Sequence, residues 1–491
     1  MNHATLSDSP ALAAATSPTA VNTSTTAAPP TRLSRLFQPR SVAVIGASAA
    51  PHKIGAIPVG HMLQHGYAGK IYPINPKATE VQGLRAYPDI ASIGEPVDMV
   101  IVAVPAALAG AALEEAARAG AGSAVVFSSG YAEVGEEGAA AQRELAALAQ
   151  RYDMPILGPN CLGFMNIREK LHATFSLAPS VGPVKTGHVG MVTQSGAFGG
   201  YAYSLARERG LGLSYWMTTG NQCNVDVADC IEWLADDPDT RVIMAYLEGC
   251  SDVAALQRAL QRADAAGKPV VLTKVGRTAA GARAALAHTA TVAGDDEVYD
   301  ALFRQCGAIR AMSIEEFFNI GYALSVVPHR PAGNRLGVLT LSGGVGALMA
   351  DDAGDAGLTL PELPVAAQQA LIARVPFAGP RNPVDITGQA TSEPDLLALG
   401  GDLMARSGCY DSLVVFLAAA GAAPALWGSF GEALVALRRA HPQLVVAVCT
   451  LLSPGHRQSM DEAGIPVFVD PTAAVRTLGA IAGARGPAPV A

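Results

Sequence analysis

The chain has 491 residues, enough for about three domains of ordinary size, and half of its residues are hydrophobic. Its net charge of -8, with both signs mixed along the chain, argues against a nucleic-acid-binding surface, and no apolar run approaches the roughly 18 residues of a membrane span. The seven cysteines are scattered without a CxxC pair, so we expect free thiols in a reducing compartment, the cytoplasm.

Residues 1–32 are mostly Ala, Thr, Ser and Pro and lack the basic start and apolar segment of a signal peptide, so we predict a disordered tail. Over 33–168, short β-branched runs alternate with Ala-rich helical stretches. This alternation predicts a doubly wound parallel sheet. The predicted strands are Ser41–Ile45, Lys70–Ile74, Met99–Val104, Ala124–Phe127 and Pro155–Leu157.

The turn Gly46-Ala47-Ser48 follows the first of these strands, where such a sheet presents backbone amides to a ligand phosphate. An NAD site would place an acid after the second strand, but Lys77 stands there and favours a phosphate. Coenzyme A, with a pyrophosphate and a 3′-phosphate, meets both demands. NADP is the weaker alternative, and a purely structural glycine turn fits the same residues.

Two further loops follow strands of the same sheet. Ser128 and Ser129 begin one, and Gly158-Pro159-Asn160-Cys161-Leu162-Gly163 forms the other. The first is a candidate part of the cofactor site, and Asn160 is a candidate substrate contact, although its turn fits a simple exit from the domain equally well. We do not expect Cys161 to be a nucleophile, because no histidine lies near it in the sequence.

A second series of strands and helices is predicted over 185–328, with strands at His188–Thr193, Leu213–Met217, Val242–Leu247 and Pro269–Lys274. Its first strand leads into Gln194-Ser195-Gly196-Ala197 and a helix predicted over Tyr201–Arg209. Small residues before that helix leave amides free for an anion, although a glycine-eased turn explains them too. Glu248 and the Lys274–Arg277 segment follow neighbouring strands, so we expect them at the same edge.

His288 follows a run of small residues and precedes a polar turn, so we predict a loop position for it. A neutral imidazole whose other nitrogen is held by a carboxylate is a competent nucleophile toward phosphorus. A capping or solvated histidine is the alternative interpretation.

After a linker rich in Pro, Gly and Asn, a third series is predicted over 335–485. Its strands are predicted at Arg335–Leu341, Ser412–Phe416, Leu444–Cys449 and Val467–Val469. The glycine-rich turn Ser342-Gly343-Gly344 opens it. Its residues fit a docking platform and a second phosphate site equally well, and we expect a structural role that includes subunit contact.

Taken in order, these motifs resemble the NDP-forming acyl-CoA synthetases, which are akin to the succinyl-CoA synthetase alpha subunit. The resemblance covers about residues 35–480. It is carried by Gly46-Ala47-Ser48, Pro73-Ile74-Asn75-Pro76-Lys77, Gly158 to Gly163, Gln194-Ser195-Gly196-Ala197, Glu248-Gly249 and Gly276 to Thr289.

The resemblance implies a Rossmann-like CoA-binding domain followed by two flavodoxin-like CoA-ligase domains. It implies an acid–thiol ligase in which phosphate passes between an acyl phosphate and a histidine, and the acyl group is transferred to CoA. His288 would be phosphorylated, Glu248 would orient it, and Gln194 to Ala197 would hold the phosphate. Ser48 and Lys77 would contact CoA. Ala290 departs from the family, which more often has Gly after His-Thr.

We find neither a GxxxxGK[ST] loop nor a stretch resembling an ATP-grasp domain. We therefore expect a separate ATP-grasp beta-type subunit that brings ATP with Mg²⁺, in an oligomer. The substrate is expected to be a short acid such as acetate or an aryl or hydroxycinnamic acid such as ferulate. Two alternatives stay open: a CoA or acyl-CoA binding regulatory protein without turnover, and an NADP oxidoreductase.

Overall fold

The computed structural model describes residues 32–289 and 295–483, and for 285–289 it describes the backbone alone. The tail predicted over 1–32 lies outside the described residues except for Arg32.

Three parallel sheets follow one another along the chain. Among the parallel strands of each sheet, the first lies between the second and the third, and the fourth and fifth follow outward. This order is that of doubly wound folds, in which ligands bind where the strand order reverses. The predicted fold class is confirmed. We call the three sheets, each with its helices, the first, second and third units.

The first unit has its sheet in the order β2-β1-β5-β6-β7, with a separate two-stranded ribbon β3-β4. Its strands are β1 (Ser41–Ile45), β2 (Lys70–Ile74), β3 (Glu80–Val81), β4 (Leu84–Arg85), β5 (Met99–Val102), β6 (Ala124–Val126) and β7 (Ile156–Leu157). Its helices are α1 (Ser34–Phe37), α2 (Ile57–His65), α3 (Ala106–Arg118) and α4 (Glu136–Arg151).

The second unit has the order β14-β13-β12-β10-β11-β8-β9. Its strands are β8 (Gly163–Asn166), β9 (Leu171–Thr174), β10 (Thr186–Thr193), β11 (Leu213–Thr218), β12 (Val242–Leu247), β13 (Val270–Lys274) and β14 (Ile309–Arg310). Its helices are α5 (Ala178–Val181), α6 (Gly196–Glu208), α7 (Val227–Asp236), α8 (Val253–Ala265), α9 (Ala279–Thr289), α10 (Asp296–Gln305) and α11 (Ile314–Val326). The antiparallel hairpin β8-β9 joins this sheet through β11, although β8 lies within the range 33–168 predicted for the first domain.

The third unit has the order β16-β15-β17-β18-β19. Its strands are β15 (Leu336–Thr340), β16 (Val384–Asp385), β17 (Ser412–Ala418), β18 (Val445–Thr450) and β19 (Val467–Phe468). Its helices are α12 (Gly343–Asp355), α13 (Val365–Arg374), α14 (Asp395–Arg406), α15 (Pro424–Ala440), α16 (Pro454–Glu462) and α17 (Pro471–Ala482).

The central strands are buried and mostly apolar because helices cover both faces of each sheet. All residues of β5, β11 and β13 are buried. The cores continue from one unit to the next: Phe37 of the first unit packs edge-on against Phe164 of the second, with ring centroids 5.2 Å apart. The first two units are therefore held together by shared apolar contacts.

A segment of the second unit also covers the outer edge of the first sheet. The backbone N–H of Val225 donates to the Ile156 carbonyl oxygen at 3.0 Å, and that of Cys223 donates to Gly158 at 2.9 Å. Val225 pairs with Leu157 of β7 as a parallel bridge. The free edge of β7 is thus occupied by the loop between β11 and α7.

None of the helices in the described ranges combines the length and apolar character needed to cross a bilayer.

Candidate functional site

The turn after β1 is tightly packed at two glycines. Gly46 has a left-handed backbone (φ +87°), and a Cβ there would lie 2.7 Å from the Ala103 carbonyl oxygen. A Cβ at Gly55 would collide with the carbonyl oxygen of Gly46. Both positions therefore require glycine. The Ser48 hydroxyl accepts from the Ala50 N–H at 3.1 Å, so this loop is ordered by its own contacts.

Lys77 lies at the adjacent strand end and is exposed. The side chain of Asn75 connects it to the Gly46 turn: its amide nitrogen donates to the Ala47 carbonyl oxygen at 2.8 Å, and its oxygen accepts from the Lys77 N–H at 2.9 Å. Asn75 was not among the predicted site residues. The sequence does carry a sign of this role. Asn-Pro after a strand is typical of a turn in which the Asn side chain bonds the backbone two residues further on.

The ends of β6 and β7 meet beside this turn. The Ser128 hydroxyl donates to the Val104 carbonyl oxygen at 2.6 Å, while Ser129 is exposed. The Asn160 N–H donates to the Ser128 carbonyl oxygen at 2.9 Å, and the Asn160 side-chain amide donates to Asn221 of the second unit at 3.2 Å. The Asn160 side chain therefore takes part in the contact between the two units.

Glu133 completes that contact. Its carboxylate accepts from the N–H groups of Gly130 and Tyr131 at 2.6 and 3.2 Å and from the Asn221 amide at 2.5 Å. Burial acts to raise the pKa of Glu133, but these hydrogen bonds outweigh it and the pKa lies below its ordinary value. The charged carboxylate thus fixes the loop that begins at Ser128. The sequence pattern did not single out Glu133 or Asn221.

Cys161 is 2% exposed, and burial raises the pKa of its thiol to about 12. A thiol in this state carries little thiolate at neutral pH, which agrees with the expectation that it is not a nucleophile.

In the second unit, the turn after β10 leads directly into α6. Ser195 caps this helix, and its hydroxyl accepts from the Phe198 N–H at 3.3 Å. The N–H groups of Gly196 and Ala197, in the first turn, have no partner within the helix, as at any helix N-terminus. The predicted start at Tyr201 was wrong: α6 begins at Gly196, because the serine cap permits an earlier start than the glycines indicated.

Glu248 immediately follows β12, next to this turn, and is 6% exposed. Its backbone N–H and that of Gly249 both donate to the side-chain oxygen of Gln194, the latter at 3.0 Å. The Gln194 amide nitrogen donates to the Gly249 carbonyl oxygen at 2.6 Å. The structure thus places Gln194 and Glu248 together, with the amide of Gln194 directed at the backbone of the 248–249 turn.

Lys274, the last residue of β13, is 3% exposed. Its ammonium donates to the Val275 carbonyl oxygen at 2.5 Å and lies 4.9 Å from the ring centroid of Tyr299. Burial lowers the pKa of Lys274, and the charges of Asp296 and Glu248 partly offset this effect. A buried cation therefore lies at the same sheet edge as Glu248, whereas Arg277 is exposed.

His288 lies in the last turn of α9, so the predicted loop position was wrong. The run of alanines before it has high helix propensity and extends the helix through Thr289. The His288 side chain and Ala290 lie outside the described residues. Helix α9 contacts the short 3-10 helix Ala132–Val134 of the first unit, which includes Glu133. The helix that carries His288 therefore reaches the loops at the carboxyl edge of the first sheet.

Comparisons with known proteins place both sheet edges in recognised domains. Residues 40–167 match the CoA binding domain, and residues 186–324 match the succinyl-CoA ligase like flavodoxin domain. The alpha subunit of an ADP-forming acetate–CoA ligase from Pyrococcus furiosus is 35% identical over 463 residues, which are 91% of this chain and 97% of that subunit. The chain belongs to the NDP-forming acyl-CoA synthetases.

Two other relatives support this assignment. A solved acetyl-coenzyme A synthetase from Ca. Korarchaeum cryptofilum, in complex with phosphate and ADP, has a TM-score of 0.82 and 33% identity over 91% of this chain and 96% of that one. A trans-feruloyl-CoA synthase from an unknown prokaryotic organism is 38% identical over 74% of this chain. The match covers 52% of the length of that synthase.

As a member of the NDP-forming acyl-CoA synthetases, the protein is an acid–thiol ligase with a CoA-binding domain. The edge that contains Gly46, Lys77 and Ser128 lies in that domain, and the edge that contains Gln194 and Glu248 lies in the flavodoxin-like ligase domain. Within the described ranges, no group of three or more His, Cys, Asp and Glu side chains is arranged to hold a metal ion.

Proposed function

We propose that this chain converts a carboxylic acid, CoA and ATP into acyl-CoA, ADP and phosphate through a phosphohistidine at His288. The observation that carries the proposal is the buried carboxylate of Glu248 beside the capped start of α6 and the buried cation of Lys274. A carboxylate that holds an imidazole N–H fixes the tautomer and stabilises the charged ring. Amides at a helix start stabilise an anion such as a phosphoryl group.

Three transfers make up the proposed reaction. A neutral imidazole nitrogen of His288 attacks the γ-phosphorus of ATP, and ADP leaves. A carboxylate oxygen of the acid then attacks that phosphorus, which forms acyl phosphate and frees the imidazole. The CoA thiolate attacks the acyl carbon, and inorganic phosphate leaves. Each step is reversible, so the same residues serve ATP formation from acyl-CoA.

The chain's own residues divide these tasks between two sheet edges. The N–H groups of Gly196 and Ala197, with Ser195, hold the transferred phosphate, and Glu248 accepts the second N–H of the imidazole. At the first sheet, the Gly46-Ala47-Ser48 turn holds the CoA pyrophosphate, and Lys77 pairs with the 3′-phosphate.

The Ser128-Ser129 loop completes the proposed CoA site, and Asn160 is proposed to contact the substrate. Contacts of α9 with the 132–134 segment support a path on which His288 and bound CoA approach each other.

ATP with Mg²⁺ is proposed to bind to a separate beta-type subunit with an ATP-grasp fold. The match to nearly the whole length of a protein named as an alpha subunit supports this division. The relatives act, by their names, on acetate and on a feruloyl substrate, so a short acid or an aryl acid is proposed for this chain. An oligomer containing both subunits in the cytoplasm is part of the same proposal.

The decisive experiment uses the chain assembled with a beta-type partner and γ-labelled ATP. Label on this chain should be acid-labile and base-stable, as in a phosphorus–nitrogen bond. His288→Ala should abolish it, and His456→Ala, which removes an exposed histidine of the third unit, should not. Label that survives in His288→Ala would contradict the proposal.

A second measurement addresses the substrate. Thioester formation with CoA should be followed for acetate, longer alkanoates and hydroxycinnamates such as ferulate, with and without the partner. Activity that needs the partner for every acid supports the proposed division of labour, whereas ATP-dependent turnover by this chain alone contradicts it.

A further inference from the structure

The side chain of Gln194 connects the end of β10 to the turn after β12 through three hydrogen bonds to backbone groups. It is 5% exposed and follows Thr193, the last residue of β10, which pairs with Tyr246 of β12. Its oxygen accepts from the N–H groups of Glu248 and Gly249, and its nitrogen donates to the Gly249 carbonyl oxygen. All three bonds reach the two residues directly after β12.

These bonds take the place of the strand-to-strand hydrogen bonds of β12, which stop at the end of that strand. Beyond Leu247, residues 248 and 249 are buried, and a buried backbone N–H or C=O without a partner is destabilising. One primary amide satisfies three of them because it has an acceptor with two lone pairs and a donor on the same rigid plane. The backbone position of Glu248 is therefore set by Gln194.

The chemistry of position 194 is correspondingly specific. A glutamate there would keep the acceptor but lose the donor for Gly249, and it would bring a second carboxylate close to the buried Glu248. An asparagine would be one methylene too short to reach the same groups. A methionine would fill the space and make none of the three hydrogen bonds.

We propose that Gln194 is a positioning residue for phosphoryl transfer. It fixes the turn that carries Glu248, the carboxylate that accepts from the His288 imidazole, and it does not itself hold the phosphate. This inference rests on the function proposed above. It assigns to Gln194 a different part from the neighbouring Ser195, Gly196 and Ala197.

The test is a double-mutant cycle of Gln194 and Glu248 in the assembled complex. The quantity measured is the rate of phosphohistidine formation from labelled ATP. Gln194→Met should slow that rate about ten- to a hundredfold and change the KM for CoA less than twofold. In a Glu248→Gln background, the same substitution should cost less than a further threefold, because residues that act through one another are not additive. Multiplicative effects in the double variant would overturn the inference.

Gln194→Glu gives a second route if the methionine variant does not assemble. It should be slow when Glu248 is intact and nearly neutral in the double variant Gln194→Glu/Glu248→Gln, because the repulsion between two carboxylates is removed. A rate in that double variant more than tenfold below Glu248→Gln alone would also overturn the inference. Gln368→Met in the third unit, which loses one bond to the Leu363 carbonyl oxygen, controls for the substitution itself.

His288→Ala is measured alongside. If it loses the label while the cycle is multiplicative, the inference fails and the proposed function stands. If it keeps the label, the proposed function fails, and the inference falls with it.

Discussion

The first parallel strands of the second and third sheets, β10 and β15, end in the same way. Thr193 and Thr340 each end the first strand, and each hydroxyl donates to the carbonyl oxygen of the serine two residues later, at 3.1 and 3.0 Å. Those serines, Ser195 and Ser342, cap α6 and α12, and accept from the third helical N–H at 3.3 and 3.5 Å. The two turns share the threonine hydrogen bond and the serine cap.

Their neighbouring side chains differ. The position of Gln194 is taken in the third unit by Leu341, which is partly buried and packs against the apolar core of that unit. A leucine cannot satisfy the backbone of an adjacent turn, so the third unit has no counterpart to the bonds that hold Glu248.

The register identifies two more differences. Thr193 pairs with Tyr246 and Thr340 with Phe416, so the residue two positions further is Glu248 in one sheet and the exposed Ala418 in the other. By the same alignment, Lys274 corresponds to Thr450. The two units therefore share a glycine-rich turn with a serine cap. The side chains that follow the neighbouring strands determine whether that turn can form a catalytic site.

Glu248 provides the largest expected contrast. Glu248→Gln should slow phosphohistidine formation by about a hundred- to a thousandfold, because the imidazole loses its charged partner, while CoA affinity stays the same. Ala418→Gln at the equivalent exposed position should leave the rate unchanged. Single-turnover labelling and calorimetry with CoA measure the two quantities. An unchanged rate in Glu248→Gln would mean that Glu248 has only a structural role at the end of β12.

Lys77 extends the comparison to the first unit, where a cation follows the second strand, whereas the third unit has Asp385 at the end of that strand. A contact between the ammonium and the CoA 3′-phosphate is worth roughly 1.5–3 kcal/mol, or about ten- to a hundredfold in affinity. Wild type should thus prefer CoA to dephospho-CoA by that factor, and Lys77→Ala should lose the preference.

Calorimetry with both ligands and both proteins measures this difference. Arg381→Ala, an exposed cation in the third unit, should leave it intact. If Lys77→Ala still prefers CoA to dephospho-CoA by the same factor, Lys77 is not part of the CoA site. If NADP binds more tightly than CoA, the assignment of CoA as the cofactor is wrong.

Acidity should weaken the junction of the first two units. His61, His65 and His172 meet where α2 packs against β9, and the rings of His65 and His172 stack with centroids 3.9 Å apart. Burial, with a smaller contribution from the other two rings, lowers the pKa of His172 to about 4. The unfolded chain, with a pKa near 6.5, binds the proton first, so stability is lost as the pH falls from about 6.5 to about 4.

Urea unfolding at pH 7.5 and pH 5 measures this effect. The free energy of unfolding should fall by roughly 2 kcal/mol from His172 alone. His172→Gln should remove that part of the fall, and His456→Gln, at an exposed position, should not. An equal fall in wild type and His172→Gln would contradict the assignment.

The smallest expected effect compares the two serine caps directly. Ser195→Ala and Ser342→Ala should each cost about 1 kcal/mol of stability, as loss of a helix cap does. Only Ser195→Ala should also slow phosphohistidine formation, by about three- to tenfold. Equal rates in the two variants would mean that the α6 cap contributes to folding alone.

Much of the fold could be predicted from the sequence because central parallel strands are short, apolar and β-branched. β1, β2 and β12 begin and end at the predicted residues. The missed strands include the hairpin β8-β9 and the two-residue strands β14 and β16, since an antiparallel addition and a minimal edge strand leave little periodicity to detect.

The site was predictable to the extent that its residues follow strands, since carboxyl ends of parallel strands meet at one edge. The contact of Gln194 with Glu248 and Gly249 joins residues more than fifty positions apart, and no local pattern encodes it. The same holds for Glu133 with Asn221. His288 was assigned to a loop because small residues suggested flexibility, whereas the helix propensity of alanine extends α9 through it.

The loop around Val225 that lies along β7 has a consequence for biosynthesis. All strands of the first sheet precede residue 158, yet the chain that caps its edge follows some sixty residues later. During translation, the first sheet can therefore fold before its edge is covered, and an uncovered parallel edge is a template for pairing with other chains. A fragment ending near residue 168, which lacks the segment around Val225, should therefore aggregate more readily than the full chain.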